Sequence, residues 1–235
     1  MRLGWLGIAS AALDLGSVYI KAPAVRPGVT WGDLIEIATP VLLVSLYALV
    51  LRALHVVAPG ESPRPARRAG AAPRLLVILG GFGLVLGHGM HVAANSIHDA
   101  ITRAGTPDPL GLVNWWDEHL SHFTIHGSKA ALCVGLTAVE ARGGAGPDGA
   151  APGLFATGVA AYGFIIFAEG VEGQTVPFVL PFCAAYLAWS LRKGRPFPPV
   201  RRFYTLAAAL SILLFAIWGI WHRGFPEFST VGLIP

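Results

Sequence analysis

The chain has 235 residues, of which 54% are hydrophobic and only 13% charged, with a net charge of +4. Soluble domains carry about 25% charged residues, so this balance, with a mean hydropathy of +0.60, excludes an ordinary water-soluble domain and points to an integral membrane protein. The positive charge is no nucleic-acid signature, because the basic residues sit in loops between apolar segments, where they set topology.

Seven apolar segments follow one another, at 3–20, 31–54, 74–99, 117–140, 154–170, 176–191 and 203–221. At roughly 20 apolar residues per crossing they use up the chain. The expected fold is all-α: one transmembrane domain over 1–235, a bundle of about seven helices with no separate soluble part. The first segment opens with Met-Arg and an apolar run, as a signal peptide does. Asp14 inside that run, and the lack of an A-x-A-like site before Lys21, make it a retained helix instead. The stretch 59–73 is a loop rich in Pro, Gly and Arg. The third segment is apolar up to Leu86, and its helix can run on to about Arg103. Some 30 helical residues would span about 45 Å, so its far end should leave the hydrocarbon. Two prolines and the pair Trp115-Trp116 follow, the latter suited to a membrane interface. Cys133 and Cys183 fall inside spans with no C-x-x-C spacing, so no disulfide framework is expected.

Seven crossings place 12 of the 17 Lys and Arg residues on one side: Arg2, Arg52, Arg64, Arg67, Arg68, Arg74, Arg142, Arg192, Lys193, Arg195, Arg201 and Arg202. The positive-inside rule makes that side cytoplasmic, with the N-terminus inside and the C-terminus extracytoplasmic. Of the acidic residues, only Glu61, Glu140 and Asp148 share the cytoplasmic side. The other ten, and every histidine but His55, belong to the outer side or the membrane interior. The expected location is the cell membrane, as a multi-pass protein.

Six of the eight histidines lie between positions 88 and 126: His88, His91, His98, His119, His122 and His126. His88, His91, Asn95 and His98 are spaced by three, four and three, and Asp99 follows Asn95 by four, so they share one stripe of a helix. On the next helix Glu118, His122 and His126 are spaced by four and four, with His119 three before His122. Consecutive helices are antiparallel, so His91 should lie level with His122, His88 with His126, and His98 and Asp99 with Glu118 and His119. Imidazoles and carboxylates at this spacing suit a divalent metal ion, zinc or iron first, with copper or haem behind. The candidate metal ligands are His88, His91, His98, Asp99, His119, His122 and His126. Glu118 and Glu169 are the candidate catalytic bases, and Asn95 can fix a histidine tautomer. Glu172, His222 and Glu227 lie on the same side. Asp33 and Glu36 read as the first turn of a helix, where carboxylates complement the dipole. Gly80, Gly83 and Gly87 form a small-residue face for close helix packing. Lys129 and Asp14 sit mid-segment, where an ion pair is the least costly arrangement, or Lys129 reaches the site as a cation for an anionic substrate.

His88-x-x-His91 resembles part of the pattern of membrane desaturases and hydroxylases, yet no adjacent His-His pair occurs. The seven-helix hydrolases that include alkaline ceramidases carry H-x-x-x-H near the last helix, where this chain has only His222. Glu118-His119-Leu120-Ser121-His122 reverses the H-E-x-x-H of zincins, and the last segment lacks the lysine of retinal proteins. The sequence is therefore assigned to no family. The expected function is a metal-dependent membrane enzyme hydrolysing or oxidising a lipid-like substrate taken from the membrane lipid, with no nucleic-acid partner. Its rivals are a haem- or copper-binding electron-transfer or metal-handling protein and a proton-coupled transporter.

Overall fold

The computed structural model describes residues 2–19, 24–26, 29–54, 70–108, 111–143, 151–194 and 197–233. His55, Glu61, Asp148, Arg64, Arg67, Arg68 and Arg195 lie outside the described residues, as does the side chain of Asp99. The elements are α1 (Arg2–Tyr19), β1 (Ala24–Arg26), β2 (Val29–Thr30), α2 (Trp31–Ala53), α3 (Ala71–Arg103), α4 (Leu112–Asn114), a π-helical segment (Trp115–Ser121), α5 (His122–Gly143), α6 (Pro152–Glu172), α7 (Val176–Arg192) and α8 (Pro199–His222). Among the described residues the fold is helical apart from the short antiparallel pair β1–β2 between α1 and α2, which the sequence pattern did not suggest.

Seven long helices thus stand where seven apolar segments were read. Four of them, α2, α3, α6 and α8, are long and apolar enough to cross a membrane, and α7 is a shorter apolar helix. Successive helices alternate in direction, and contacts fix both ends of the bundle. At one end, Arg2 Nη1 donates to the Leu49 carbonyl at 3.4 Å, and the Glu140 carboxylate accepts from the backbone N–H groups of Val200 and Arg201 at 2.7 and 2.9 Å. Those bonds satisfy two of the N–H groups that a helix start leaves without partners. The Arg202 guanidinium lies 4.6 Å from the Phe155 ring centre at the same end. The opposite end gathers the start of α2 and α5 with the ends of α3, α6 and α8.

One apolar core joins all seven helices, including Leu6, Leu43, Leu84, Leu132, Tyr162, Cys183 and Phe203. The faces turned outward are apolar too: Val41, Leu42 and Leu49 on α2, Ile78, Phe82 and Leu86 on α3, and Leu213, Ile217 and Ile220 on α8 are exposed. The α3–α5 contact depends on the predicted glycine face. A Cβ on Gly80 would sit 2.8 Å from Leu132 Cγ and 2.9 Å from the Ser128 carbonyl, and one on Gly87 2.6 Å from Ile125 Cγ1. Only hydrogen at these positions lets the two backbones come close enough to set their histidines side by side. α3 runs 33 residues, about 50 Å, so its C-terminal turns overhang the bundle.

Candidate functional site

A cavity of about 630 Å³ opens at the histidine end of the bundle. Its walls come from α1, α2, α3, the π-helical segment, α5, α6, α8 and the segment after α8. The polar wall carries His88, His91, His122 and His126 with Glu36, Glu118 and Glu169; the apolar wall carries Leu15, Phe164, Ile165, Phe167, Trp218 and Phe228.

His91 is the hub of the polar wall. Its Nδ1 lies 2.6 Å from Asp117 Oδ1 and its Nε2 3.2 Å from Glu36 Oε1. Asn95 Nδ2 pairs with the same Nε2 at 3.1 Å. The His122 ring meets the His91 ring edge-on, with centroids 4.8 Å apart, so these two histidines share a depth as the antiparallel register predicts. A Cβ on Gly173 would lie 2.5 Å from His122 Nδ1. The end of α6 is therefore pressed against that nitrogen, while His122 Nε2 stands 3.9 Å from Glu118 Oε2.

Deeper in, Lys129 Nζ donates to both oxygens of Glu169, at 2.5 and 2.6 Å, and to Asp14 Oδ2 at 3.4 Å. The expected ion pair of Lys129 with Asp14 is present, and Glu169 joins it as a second, closer partner. His126 Nδ1 lies 4.0 Å from Glu169 Oε2. His88 and His126 are buried, and both nitrogens of His88 and Nε2 of His126 have no hydrogen-bond partner among the described residues. Buried imidazoles without partners are costly and mark places where a water, ion or substrate group belongs.

Four of the seven predicted metal ligands, His88, His91, His122 and His126, thus line one cavity. His98 and His119 are exposed and lie outside its lining, and the Asp99 side chain is outside the described set. Of the predicted bases, Glu118 borders the cavity beside His122, whereas Glu169 has both oxygens held by Lys129.

Glu36 and Asp117 are the residues that sequence reasoning missed. Glu36 read as a helix-start carboxylate, and nothing in the spacing tells which side of α2 faces α3. Asp117 is brought in by the π-helical turn. An i→i+5 repeat puts Asp117 and His122 on one face, where an α-helix would align Glu118 with His122. A buried Asp117 and a half-exposed Glu118 are the outcome. The C-terminal segment was missed in part. Trp218 Nε1 donates to the Pro226 carbonyl at 3.1 Å, Phe228 N donates to Glu172 Oε2 at 2.8 Å, and Gln174 bonds Glu227. These ties fold the segment over the cavity mouth.

Among the described residues, no three His, Cys, Asp or Glu side chains converge into a metal-binding group. The pair His91 Nε2 and Glu36 Oε1 stands 3.2 Å apart, close to the ~3.4 Å between neighbouring ligands of a tetrahedral zinc with bonds of about 2.1 Å. Comparison with family models, with curated proteins and with solved structures finds no match for this chain.

Proposed function

We propose that the protein is a multi-pass membrane enzyme whose metal ion sits between α2, α3 and α5, with His91, His122 and Glu36 as ligands. Three protein ligands leave a coordination position open, the arrangement of catalytic rather than structural zinc sites. The observation that supports this reading is His91, which stands 3.2 Å from Glu36 through Nε2 and edge-on to the His122 ring, with all three side chains lining one cavity of an apolar bundle. The Asp117 carboxylate at the other nitrogen of His91 is the partner that orients a ligating imidazole and raises its basicity. A bare ion is favoured over haem, because rings 4.8 Å apart and edge-on leave no space for a porphyrin plane between two axial histidines.

Membrane insertion is supported by the four span-length helices and by the apolar outward faces of α2, α3 and α8. With the histidine end outside, Arg2, Arg52, Arg74, Arg142, Arg201 and Arg202 fall at the cytoplasmic end. Zinc or iron there would supply Lewis acidity. Glu118, beside His122 and bordering the cavity, would be the group to accept a proton there. The apolar wall suits the hydrocarbon part of a lipid-like substrate, with its polar end toward the histidines.

The test is an assay on the purified protein with lipid-like ester and amide probes, before and after chelation and metal return. Glu118→Gln should keep the metal and lose turnover. Turnover in Glu118→Gln equal to wild type removes Glu118 as the base. Turnover that survives complete metal removal contradicts the metal-dependent reading.

A further inference from the structure

The polar face of α5 does not stop at the cavity. His122, His126, Lys129, Cys133, Thr137 and Glu140 follow at spacings of four, three, four, four and three, one stripe running the whole helix. The stripe faces inward: His126, Lys129, Cys133, Thr137 and Glu140 are all buried. Tyr186 of α7 meets it through a hydroxyl, and two further buried hydroxyl pairs join other helices to each other. Tyr47 and Tyr162 hydroxyls bond at 2.8 Å, Thr137 and Tyr186 at 2.9 Å, and Ser190 and Thr205 at 2.6 Å. Glu140 closes the series at the start of α8.

A second, small cavity of about 40 Å³ bridges the two regions. His126 lines both cavities, and Lys129, Tyr162, Tyr186 and Tyr204 line the small one. A site of this size with several polar groups has room for one or two waters. In a bundle this apolar, so long a run of buried polar groups is expensive to keep. Helix–helix hydrogen bonds alone return little stability inside a membrane.

We propose that this run is a proton path joining the floor of the histidine cavity to the opposite end of the bundle, through His126, the small cavity, Tyr204, Tyr186 and Thr137, then Ser190–Thr205 and Glu140. Each hydroxyl or water on the path accepts one proton on a lone pair and releases its own. One proton enters for each that leaves, and nothing is oxidised or reduced. The inference is independent of the metal reading, since none of the metal ligands belongs to the path.

The test uses the purified full chain in sealed vesicles with a pH-sensitive dye inside. An external pH step is applied, and potassium with valinomycin carries the compensating charge. Wild-type vesicles should equilibrate faster than protein-free ones. Tyr204→Phe, Tyr186→Phe and Thr137→Val, which remove only the hydroxyl function, should each lose that fast phase while eluting as folded protein. Ser211→Ala, a buried hydroxyl off the path that donates to the Gly163 carbonyl, should keep it. Should one path variant fail to fold, the other two read the same path. Wild-type vesicles no faster than protein-free ones overturn the proposal. So does a fast phase kept in the folded hydroxyl variants, or one lost equally in folded Ser211→Ala.

Discussion

Replacing Lys129 tests how the buried charges hold the bundle together. Its side chain is 7% exposed, that of Asp14 8% and that of Glu169 18%. Lys129→Met keeps the length and apolar stem but leaves two carboxylates facing each other out of water. Breaking a buried pair by removing one partner costs ~3–5 kcal/mol, and this ammonium serves two partners. Asp14→Asn should cost less, about 1.5–3 kcal/mol, the worth of one hydrogen bond to a charged group, because Glu169 still neutralises the lysine. Glu169→Gln should cost more than Asp14→Asn, since Coulomb attraction falls as 1/r and Glu169 is at 2.5 Å against 3.4 Å for Asp14. The double variant Lys129→Met/Asp14→Asn should recover at least ~0.5 kcal/mol of the summed losses, the lower bound of coupling between contacting residues. The assay is reversible unfolding of the detergent-solubilised protein, followed by tryptophan fluorescence. A Lys129→Met variant within about 0.5 kcal/mol of wild type, the range of neutral surface changes, would refute the reasoning. Strictly additive losses would do the same.

Other expectations follow from the same packing and topology. Gly80→Ala places a methyl against Leu132 Cγ and the Ser128 carbonyl, and should lower stability by ~1–3 kcal/mol in the same unfolding assay, with Gly89→Ala, which meets nothing within 4 Å, as its near-neutral counterpart. His98→Ala and His119→Ala, both exposed, should change stability by no more than about 0.5 kcal/mol and leave activity intact. A reporter fused after Arg68 or Arg195 should read as cytoplasmic and one at the C-terminus as exported; a cytoplasmic C-terminus would contradict seven crossings.

The helices were legible because their signal is local. Runs of apolar residues broken by Pro, Gly and Arg gave each segment to within a few residues, and α3 reaches Arg103 as its continuation implied. The pairing of His91 with His122 was legible as well, since consecutive antiparallel helices fix each other's depth. Other features depend on contacts between distant segments. Glu36 belongs to α2, and its approach to His91 depends on how α2 is rotated, which an almost uniformly apolar helix does not encode. Asp117 replaced Glu118 as the inward carboxylate because seven residues wind as a π-helix, a change of period that single-residue preferences do not announce. Glu169 was located at the correct end but assigned a free role, whereas its oxygens are taken by Lys129.

We propose that α3 and α5 together hold one metal centre around His91 and His122. Its most direct test is elemental analysis of the purified protein and of His91→Ala, His122→Ala and His119→Ala, each compared per mole of folded chain. The account predicts near-stoichiometric zinc or iron in wild type and His119→Ala, and loss of that metal in both His91→Ala and His122→Ala. Full metal occupancy in the His91 and His122 variants, or a wild-type protein that takes up no metal, would contradict it.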